Sequence, residues 1–272
     1  PYESLDGDIE NIKKITEDNH EVSSLIKEAK KPLIIFGQSS LKTKSAKYIF
    51  ESVKSFLKKN NKMSDEWNSL NTISENASTV GSFDLGLYKT VDGSNEVLKD
   101  LENHMFEIVY LLGVDNLKFE KKNEFIIYQG SHGDKGAEIA DIILPGAAYT
   151  EQNGYFTNLE GKIQKAYKAS FPPEEAKEDW LIINELAETM NHRKLFNDKD
   201  ELDSSLLNQI NLFIEKDKSI KSSTVENVEF KQEILKVENE DYYYSNAIAR
   251  ASKTMLECKT AKVNLKLTGT EG

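Results

Sequence analysis

The sequence predicts an α/β fold with a doubly wound, mostly parallel sheet, followed by a helical or extended C-terminal extension. The first observation is a set of continuous apolar runs that end before glycine or proline, at residues 33–36, 108–112, 125–128 and 142–144. The second is that helical or polar stretches separate these runs. Strands of a parallel sheet are covered on both faces, so they read as unbroken apolar runs. Alternation of such runs with helical segments is typical of a parallel sheet.

Residues 1–31 are predicted to form a lead-in helix. Its apolar side chains recur at helical spacing, namely Val22, Leu25, Ile26 and Ala29. Pro32 ends the helix, because a proline is disfavoured inside a helix and restricts the residue before it. A second amphipathic helix is predicted over residues 45–58, whose apolar positions follow the helical period.

The predicted α/β domain covers residues 32–190, and residues 191–272 form a helical or extended tail. Residues 60–95 are rich in Asn, Ser, Thr and Gly, which predicts a loop-rich connection with one short helix at 67–73. Beyond the paired prolines at 172–173, a helix is predicted whose apolar stripe is Trp180, Ile183, Leu186, Ala187 and Met190. Residues 225–240 are expected to be solvated or extended, ahead of a last helical stretch.

Composition excludes two classes of function. The 272 residues carry a formal net charge of −11, which argues against a nucleic-acid surface, since phosphate binding requires concentrated Lys and Arg. The sequence contains no run of eighteen apolar residues, so no direct membrane insertion is predicted and any membrane association would come through partner proteins. Because the chain begins with Pro1 rather than Met, we expect a processed or partial product.

Cysteine and histidine usage makes a metal or cluster site improbable. The single cysteine, Cys258, excludes an internal disulfide and cannot hold an iron–sulfur cluster alone, because such clusters use about four thiolates. The four histidines lie far apart in sequence, and no pair has the spacing of metal ligands. Arginine is scarce as well, filling only two of the 35 basic positions, Arg193 and Arg250.

The most glycine-rich loop follows a predicted strand at residues 130–136. Its glycines have G-x-x-G-x-x-G spacing, which matches neither the dinucleotide fingerprint nor the Walker A loop. Backbone amides there could cradle a phosphate, but Asp134 would repel one, so we interpret the loop as a tight structural turn. Residues 154–162 are rejected as a Walker A loop, because Ile163 stands where Ser or Thr would hold magnesium.

Several titratable groups are catalytic candidates by residue type. His132 beside Asp134 has the composition of a general base with its orienting acid, but no nucleophile stands nearby at a recognisable turn, and polar surface is expected. The paired carboxylates at 174–175 and 178–179 are explained by solvation of a helix N-terminus. Cys258 is expected to be a packed or surface thiol.

Three adjacent tyrosines at residues 242–244 lie beside acidic residues near the end of the chain. Aromatic clusters of this kind are enriched where one protein binds another, so the segment is a candidate contact for a partner surface. Packing of the tyrosines onto the chain's own domain is equally compatible with the sequence. Both interpretations stay open.

Residues 130–187 carry the most specific pattern in the chain. It reads G-S-H-G-D-K-G-A from Gly130, A-D-I-I-L-P-G-A-A-Y-T-E from Ala140 and N-L-E-G-K-I-Q from Asn158, followed by the paired prolines and Glu178-Asp179-Trp180. This pattern resembles the molybdopterin oxidoreductase superfamily. The first two segments are more similar to one branch, the large iron–sulfur subunit of respiratory complex I. Residues 29–37 and 241–258 are similar to the start of that subunit's later α/β region and to its extreme C-terminus.

The resemblance implies a sheet of the molybdopterin oxidoreductase type that has kept its shape without molybdenum. The iron–sulfur cysteines of that branch belong to an N-terminal part that is missing here, so no cofactor is expected in this chain. Lys162 stands where the superfamily has arginine, which weakens any bidentate contact to an anion. No catalytic, cofactor-binding or metal-binding residue is carried over to this sequence.

The resemblance therefore predicts a structural, cofactor-free portion of the large iron–sulfur subunit, in the NADH-oxidising peripheral arm of NADH:ubiquinone oxidoreductase. Its expected partners are the iron–sulfur half of the same subunit and other peripheral-arm subunits. The expected location is the matrix side of the mitochondrial inner membrane, with the cytoplasmic face of a bacterial inner membrane as the alternative. Two other functions stay open: a fragment of a catalytic, formate dehydrogenase-like molybdopterin oxidoreductase, and an independent acidic binding protein.

Overall fold

A computed structural model describes residues 2, 4–5, 7–64, 66–87, 97–114, 117, 119–217, 230–234 and 241–267. The predicted solvated segment at 225–240 lies outside these residues except for 230–234. The chain divides into two compact units. The first takes its described residues from 1–80, 157–162 and 214–239, and the second takes them from 81–156, 163–213 and 240–272.

The helices and strands alternate along much of the chain, as the α/β class requires. The described α-helices are α1 (Ile9–Thr16), α2 (Glu21–Glu28), α3 (Ala46–Lys59), α4 (Thr79–Asp84), α5 (Val97–Glu102), α6 (Lys135–Glu138), α7 (Asp179–Asn191), α8 (Lys199–Asp217), α9 (Ala247–Ala251) and α10 (Lys253–Leu267). The described strands are β1 (Ile34–Gly37), β2 (Leu70–Ile73), β3 (Ile108–Leu112), β4 (Phe125–Gly130), β5 (Ile142–Pro145), β6 (Gly154–Thr157) and β7 (Ile163–Ala166).

The first unit is built on a two-stranded parallel sheet of β1 and β2, with a core between that sheet and helices α1 and α3. The buried core residues are Ile9, Phe36, Ile49, Val53, Leu57 and Leu70. The predicted lead-in contains two helices, because the chain turns at Asp18 (φ 64°) and a new helix starts where a ring nitrogen of His20 accepts a hydrogen bond from the Val22 amide. The predicted strand at 33–36 and the predicted helix at 45–58 are confirmed.

The short helix predicted at residues 67–73 is wrong, because residues 70–73 form strand β2. Leu70 pairs with Ile34 and is buried, and the amide of Ile34 donates to the Ser69 carbonyl at 2.8 Å. Asn71 and Thr72 are weak helix formers, so pairing with β1 overrides what little helical preference the segment has.

The second unit contains a three-stranded sheet in the order β3-β4-β5, with every strand parallel. The three apolar runs that predicted these strands are confirmed, and so is the α/β class with parallel sheets. The crossover between β4 and β5 holds only the short helix α6, as expected from the short spacing of the runs.

Side chains along each strand alternate between the two faces of this sheet. We call one side the packed face; its residues Val109, Leu111, Ile126 and Tyr128 form the hydrophobic core of the unit. We call the other side the open face; it exposes Ile108, Leu112, Phe125 and Ile142. The expectation that parallel strands are buried on both faces is therefore wrong for this chain. In the first unit, Leu33 and Ile35 are likewise half-exposed.

After the sheet, β6 and β7 form a two-stranded sheet, and helix α7 follows the paired prolines as predicted. The predicted apolar stripe of α7 is buried only in part, since Trp180, Ile183 and Ala187 are half-buried. Its buried residues are Ile182 and Asn184, whereas Leu186 and Met190 are exposed. No helix among the described residues is long and apolar enough to cross a bilayer.

Candidate functional site

A cleft of about 650 Å³ lies in the second unit where strands β4 and β5 end. Ligands of open α/β sheets bind in the crevice beyond the carboxyl ends of the strands, which makes this cleft the candidate functional site. The residues that line it are Gly130, Ser131, His132, Pro145, Gly146, Ala148, Glu151, Pro173, Glu174, Glu175 and Ala176.

One wall of the cleft is the glycine-rich loop at 130–136. The loop is fixed from below by Tyr128, whose side chain is buried and whose hydroxyl donates to the His132 carbonyl at 2.8 Å. A Cβ on Gly136 would come within 2.4 Å of the Val114 carbonyl oxygen, and one on Gly130 would clash with the Tyr128 ring. The loop is thus the tight structural turn that the sequence predicted.

The opposite wall follows strand β5. Residues 145–147 are held by the backbone of Lys177, whose amide donates to the Pro145 carbonyl at 3.1 Å and whose carbonyl accepts from the Ala147 amide at 2.8 Å. The Glu151 carboxylate turns back to accept from the Ala148 amide at 2.9 Å. The Lys177 backbone and the Glu151 carboxylate thus hold this wall in place.

The cleft is supported by a polar network that the sequence did not reveal. The Gln129 side chain is fully buried and donates to the Asp179 carboxylate at 2.8 Å. Gln152 donates to the other oxygen of that carboxylate, also at 2.8 Å. The Tyr110 hydroxyl donates to Gln129. Burial, followed by the charge of Asp179, raises the pKa of Tyr110, so the phenol stays protonated and keeps its role as donor.

The network corrects one prediction, the solvation of all four carboxylates near the start of α7. Asp179 accepts hydrogen bonds from two glutamine amides. Glu178 pairs with Lys168 at 3.1 Å and accepts from the Trp180 indole at 3.0 Å. These two carboxylates therefore stabilise the junction of α7 with the cleft, whereas those at 174–175 line the cleft itself.

The structure gives His132 and Asp134, the predicted base and orienting acid, different hydrogen-bond partners. A ring nitrogen of His132 lies 2.9 Å from the Ser131 hydroxyl. The Asp134 carboxylate accepts from the Lys135 amide and from the Arg250 guanidinium. Each group is engaged elsewhere, in line with the polar-surface interpretation.

The quoted family segments have structural roles in this fold. The Asp141 carboxylate accepts from the Ile126 amide at 2.8 Å, and the Asp141 amide donates to the Ile126 carbonyl, which fixes β5 against β4. Hydrogen bonds from Lys121 and Ile126 lower the pKa of Asp141. In the segment from Asn158, the Asn158 side chain accepts from the Lys162 amide at 2.9 Å.

Two buried carboxylates lie apart from the cleft, and no sequence pattern predicted either. Asp203 pairs with Lys165 at 2.8 Å and with Lys199 at 3.1 Å. Burial alone would raise the pKa of Asp203, but its hydrogen bonds from these lysines hold the pKa below the usual value. Glu124 accepts from the Lys122 amide and contacts His104, and these contacts lower its pKa. Among the described residues, no group of three or more His, Cys, Asp or Glu is placed to hold a metal ion.

The three tyrosines at 242–244 have different environments, and these bear on whether the segment contacts a partner or packs onto its own chain. The Lys259 ammonium lies 4.1 Å from the centre of the Tyr244 ring, and Lys262 lies over Tyr243. Tyr242 remains exposed. Two of the rings thus pack against the chain's own helix α10, and one faces outward. Cys258 in the same helix is an exposed free thiol, one of the two environments expected for it.

The cleft does not fit the phosphate-bearing pterin cofactor that a fold of this kind suggests. Its described lining residues include three carboxylates, those of Glu151, Glu174 and Glu175, and none of these described residues is a lysine or an arginine. An anionic phosphate requires cationic groups or free amides for compensation. Three carboxylates would instead repel it at neutral pH.

Family models match two parts of the chain. Residues 1–189 match molybdopterin oxidoreductase, and residues 211–258 match the C-terminal part of the G subunit of NADH-ubiquinone oxidoreductase. The first match covers more than half of the chain and includes the parallel sheets and the cleft. The chain belongs to the molybdopterin oxidoreductase family.

Similar proteins indicate which branch of the family this chain resembles. The chain is 35% identical to a NADH-ubiquinone oxidoreductase 75 kDa subunit of Reclinomonas americana, over 95% of this chain and 38% of the relative. It is 36% identical to the G subunit of a NADH-quinone oxidoreductase of Rickettsia bellii, over 98% of this chain and 38% of that relative. A mitochondrial 78 kDa subunit of NADH-ubiquinone oxidoreductase from Candida albicans is 34% identical over 87% of this chain. The chain spans 38% of the length of the first two relatives and 34% of the length of the third.

Proposed function

We propose that this chain is a structural, cofactor-free portion of the large iron–sulfur subunit in the peripheral arm of NADH:ubiquinone oxidoreductase. The observation that carries the proposal is the second family match, which is specific to one subunit of that enzyme, together with relatives of the same description aligned along nearly the whole chain. The chain would support electron transfer from NADH to ubiquinone by holding the cluster-bearing part of the subunit in place.

The chemistry of the cleft supports a role without a cofactor. Among its described polar side chains, Glu151 holds a wall, Ser131 and His132 contact each other, and Glu174 and Glu175 are carboxylates unsuited to an anionic ligand. The interior is fixed by the amide–carboxylate network around Asp179. This site is built to keep its shape, while iron–sulfur clusters would reside in the further length that the relatives possess.

The proposed partners are the iron–sulfur part of the same subunit and other subunits of the peripheral arm. The proposed location is the matrix side of the mitochondrial inner membrane, since one of the named relatives is a mitochondrial protein. The bacterial relatives support the cytoplasmic face of a bacterial inner membrane as the alternative. The match of residues 211–258 to a NADH-ubiquinone oxidoreductase subunit favours this function over that of a catalytic, formate dehydrogenase-like enzyme.

The test is to tag the chain in its native organism and to resolve gently solubilised membranes on a native gel. The tag should migrate in one large assembly that oxidises NADH and reduces a quinone, and depletion of the chain should lower that activity. Migration of the tag as a free monomer would contradict the proposal. Comigration with a formate-oxidising assembly would support the catalytic alternative.

A further inference from the structure

The open face of the β3-β4-β5 sheet presents a continuous apolar surface. Ile108 and Phe125 are directly opposite each other on neighbouring strands, and Ile142 lies on the same face of the third strand. Their exposed fractions are 64%, 43% and 44%. Leu112, at the far end of β3, is exposed on this face as well. Parallel sheets are normally covered by helices on both faces, so an exposed row of this kind marks a missing layer.

The chain's own helix α7 covers only one end of this face. Gln129, near the carboxyl end of β4, is fully buried beneath Asp179 at the start of α7. Leu144 at the carboxyl end of β5 lines a second cavity together with Ile182 of α7. Ile108, Phe125 and Ile142 are each the first residue of their strand. All three are exposed, so the described part of the chain leaves the strand beginnings largely uncovered on this face.

The geometry selects a helix as the missing layer. Adjacent strands are about 4.8 Å apart, so three strands offer a strip about 10 Å wide, which is the diameter of an α-helix with its side chains. A second copy of this chain would instead place sheet against sheet, an arrangement typical of antiparallel sandwiches rather than of parallel sheets.

We propose that the open face is the docking surface for an amphipathic α-helix from outside these 272 residues, within the further length that the relatives carry. The argument for this source is that the relatives align with this chain over only 38% of their own length. The helix lays its apolar stripe across Ile108, Phe125 and Ile142. This inference rests on the proposed function, because it names the surface through which the chain joins the rest of the subunit.

The test uses the intact native assembly with a photo-crosslinking benzoylphenylalanine introduced at Phe125. This change keeps an aromatic side chain at an exposed position, so the fold is retained. Illumination followed by peptide mass spectrometry should yield an adduct with a helical segment that is absent from these 272 residues and that aligns with the relatives' remaining length. The same probe at Phe171, an exposed aromatic away from the sheet, should not yield that adduct.

Adducts at Phe125 that join only residues of this chain, a second copy or an unrelated subunit would overturn the inference, and so would the absence of any adduct. These results remain distinct from a failure of the proposed function. In that case the tagged chain would be missing from the NADH-oxidising assembly before any crosslinking is attempted.

Two adjacent residues on β5 provide a substitution test. Ile142 and Ile143 are both exposed, at 44% and 54%, but they point to opposite faces of the sheet. Ile142→Asp should lower the amount of chain recovered in the assembly at least tenfold, whereas Ile143→Asp should leave recovery within about twofold of the unchanged chain. Equal recovery of the two variants would contradict the assignment of the docking surface to the open face.

Discussion

The packed face and the open face of the β3-β4-β5 sheet are made by the same three strands, yet they are completed in different ways. Ile126 on the packed face is fully buried by residues of the same unit. Ile108 on the open face is 64% exposed, although its side chain is the same. Neighbouring isoleucines of one sheet thus differ in the energy that they contribute to this chain. The two faces therefore differ in how much of their apolar surface the described residues of this chain bury.

The largest expected effect is the difference in stability loss between alanine substitutions on the two faces. Ile126→Ala should lower the free energy of unfolding by about 2–5 kcal/mol, because it leaves a cavity in a closed core. Ile108→Ala should lower it by less than about 1 kcal/mol, because the side chain is mostly solvated. Urea titration of the 272-residue chain checks both values. A similar loss for the two variants would remove the distinction between the faces.

The next effect concerns the loop that covers the packed face. Gly136→Ala places a Cβ 2.4 Å from the backbone oxygen of Val114 and should destabilise the chain by about 1–3 kcal/mol. Gly133→Ala in the same loop is the matched control, since a Cβ there meets nothing within 4 Å. Thermal unfolding of the two variants provides the measurement. A neutral Gly136→Ala would mean that the loop is not held against the sheet.

A smaller effect is expected at the buried hydroxyl of the packed face. Tyr128→Phe keeps the ring and removes the hydrogen bond to the His132 carbonyl, so stability should fall by about 1 kcal/mol. Amide hydrogen exchange across residues 130–136 should rise in the same variant. Tyr149→Phe, at an exposed hydroxyl, serves as the control and should change neither quantity.

The smallest expected effect is a pH dependence of stability that arises from Asp141, the residue before strand β5. The hydrogen bonds from Lys121 and the Ile126 amide lower the pKa of Asp141 in the folded chain. Its contribution to stability is therefore complete above the ordinary pKa of an aspartate and is lost as the pH falls through the lowered value. Asp141→Asn should make the free energy of unfolding less dependent on pH in that acidic range. Near neutral pH the pH dependence should stay almost unchanged. An unchanged acid slope would show that the carboxylate is not coupled to folding.

The sequence predicted those parts of the fold that depend on local pattern. Strands β3, β4 and β5 were found because their apolar runs are continuous, and α3 because its apolar positions keep one period. Strand β2 was missed because Leu70–Ile73 is short and partly polar, and it forms only by pairing with β1. The open face was missed because burial depends on what lies against a strand.

The hydrogen bonds that hold the candidate site could not be predicted from local sequence pattern, because they join residues that are distant in the sequence. Gln129 and Asp179 are 50 residues apart, and no sequence motif predicts their contact. Asp203 and Lys165 are likewise distant in sequence. Asp141 is the exception, because it belongs to the family segment from Ala140, although only the structure shows that it joins β5 to β4. The resemblance predicted no site residue, so the cleft and the contacts that hold its walls come from the structure alone.

The central claim is that the cleft beyond β4 and β5 has kept its shape but holds no cofactor. The most direct measurement is a cryo-EM map of the native assembly at a resolution that shows side chains in this cleft. The account predicts walls arranged as described here, with only solvent or protein between Glu151, Glu174 and Glu175. Density for a pterin, a cluster or a metal bonded to those side chains would contradict it.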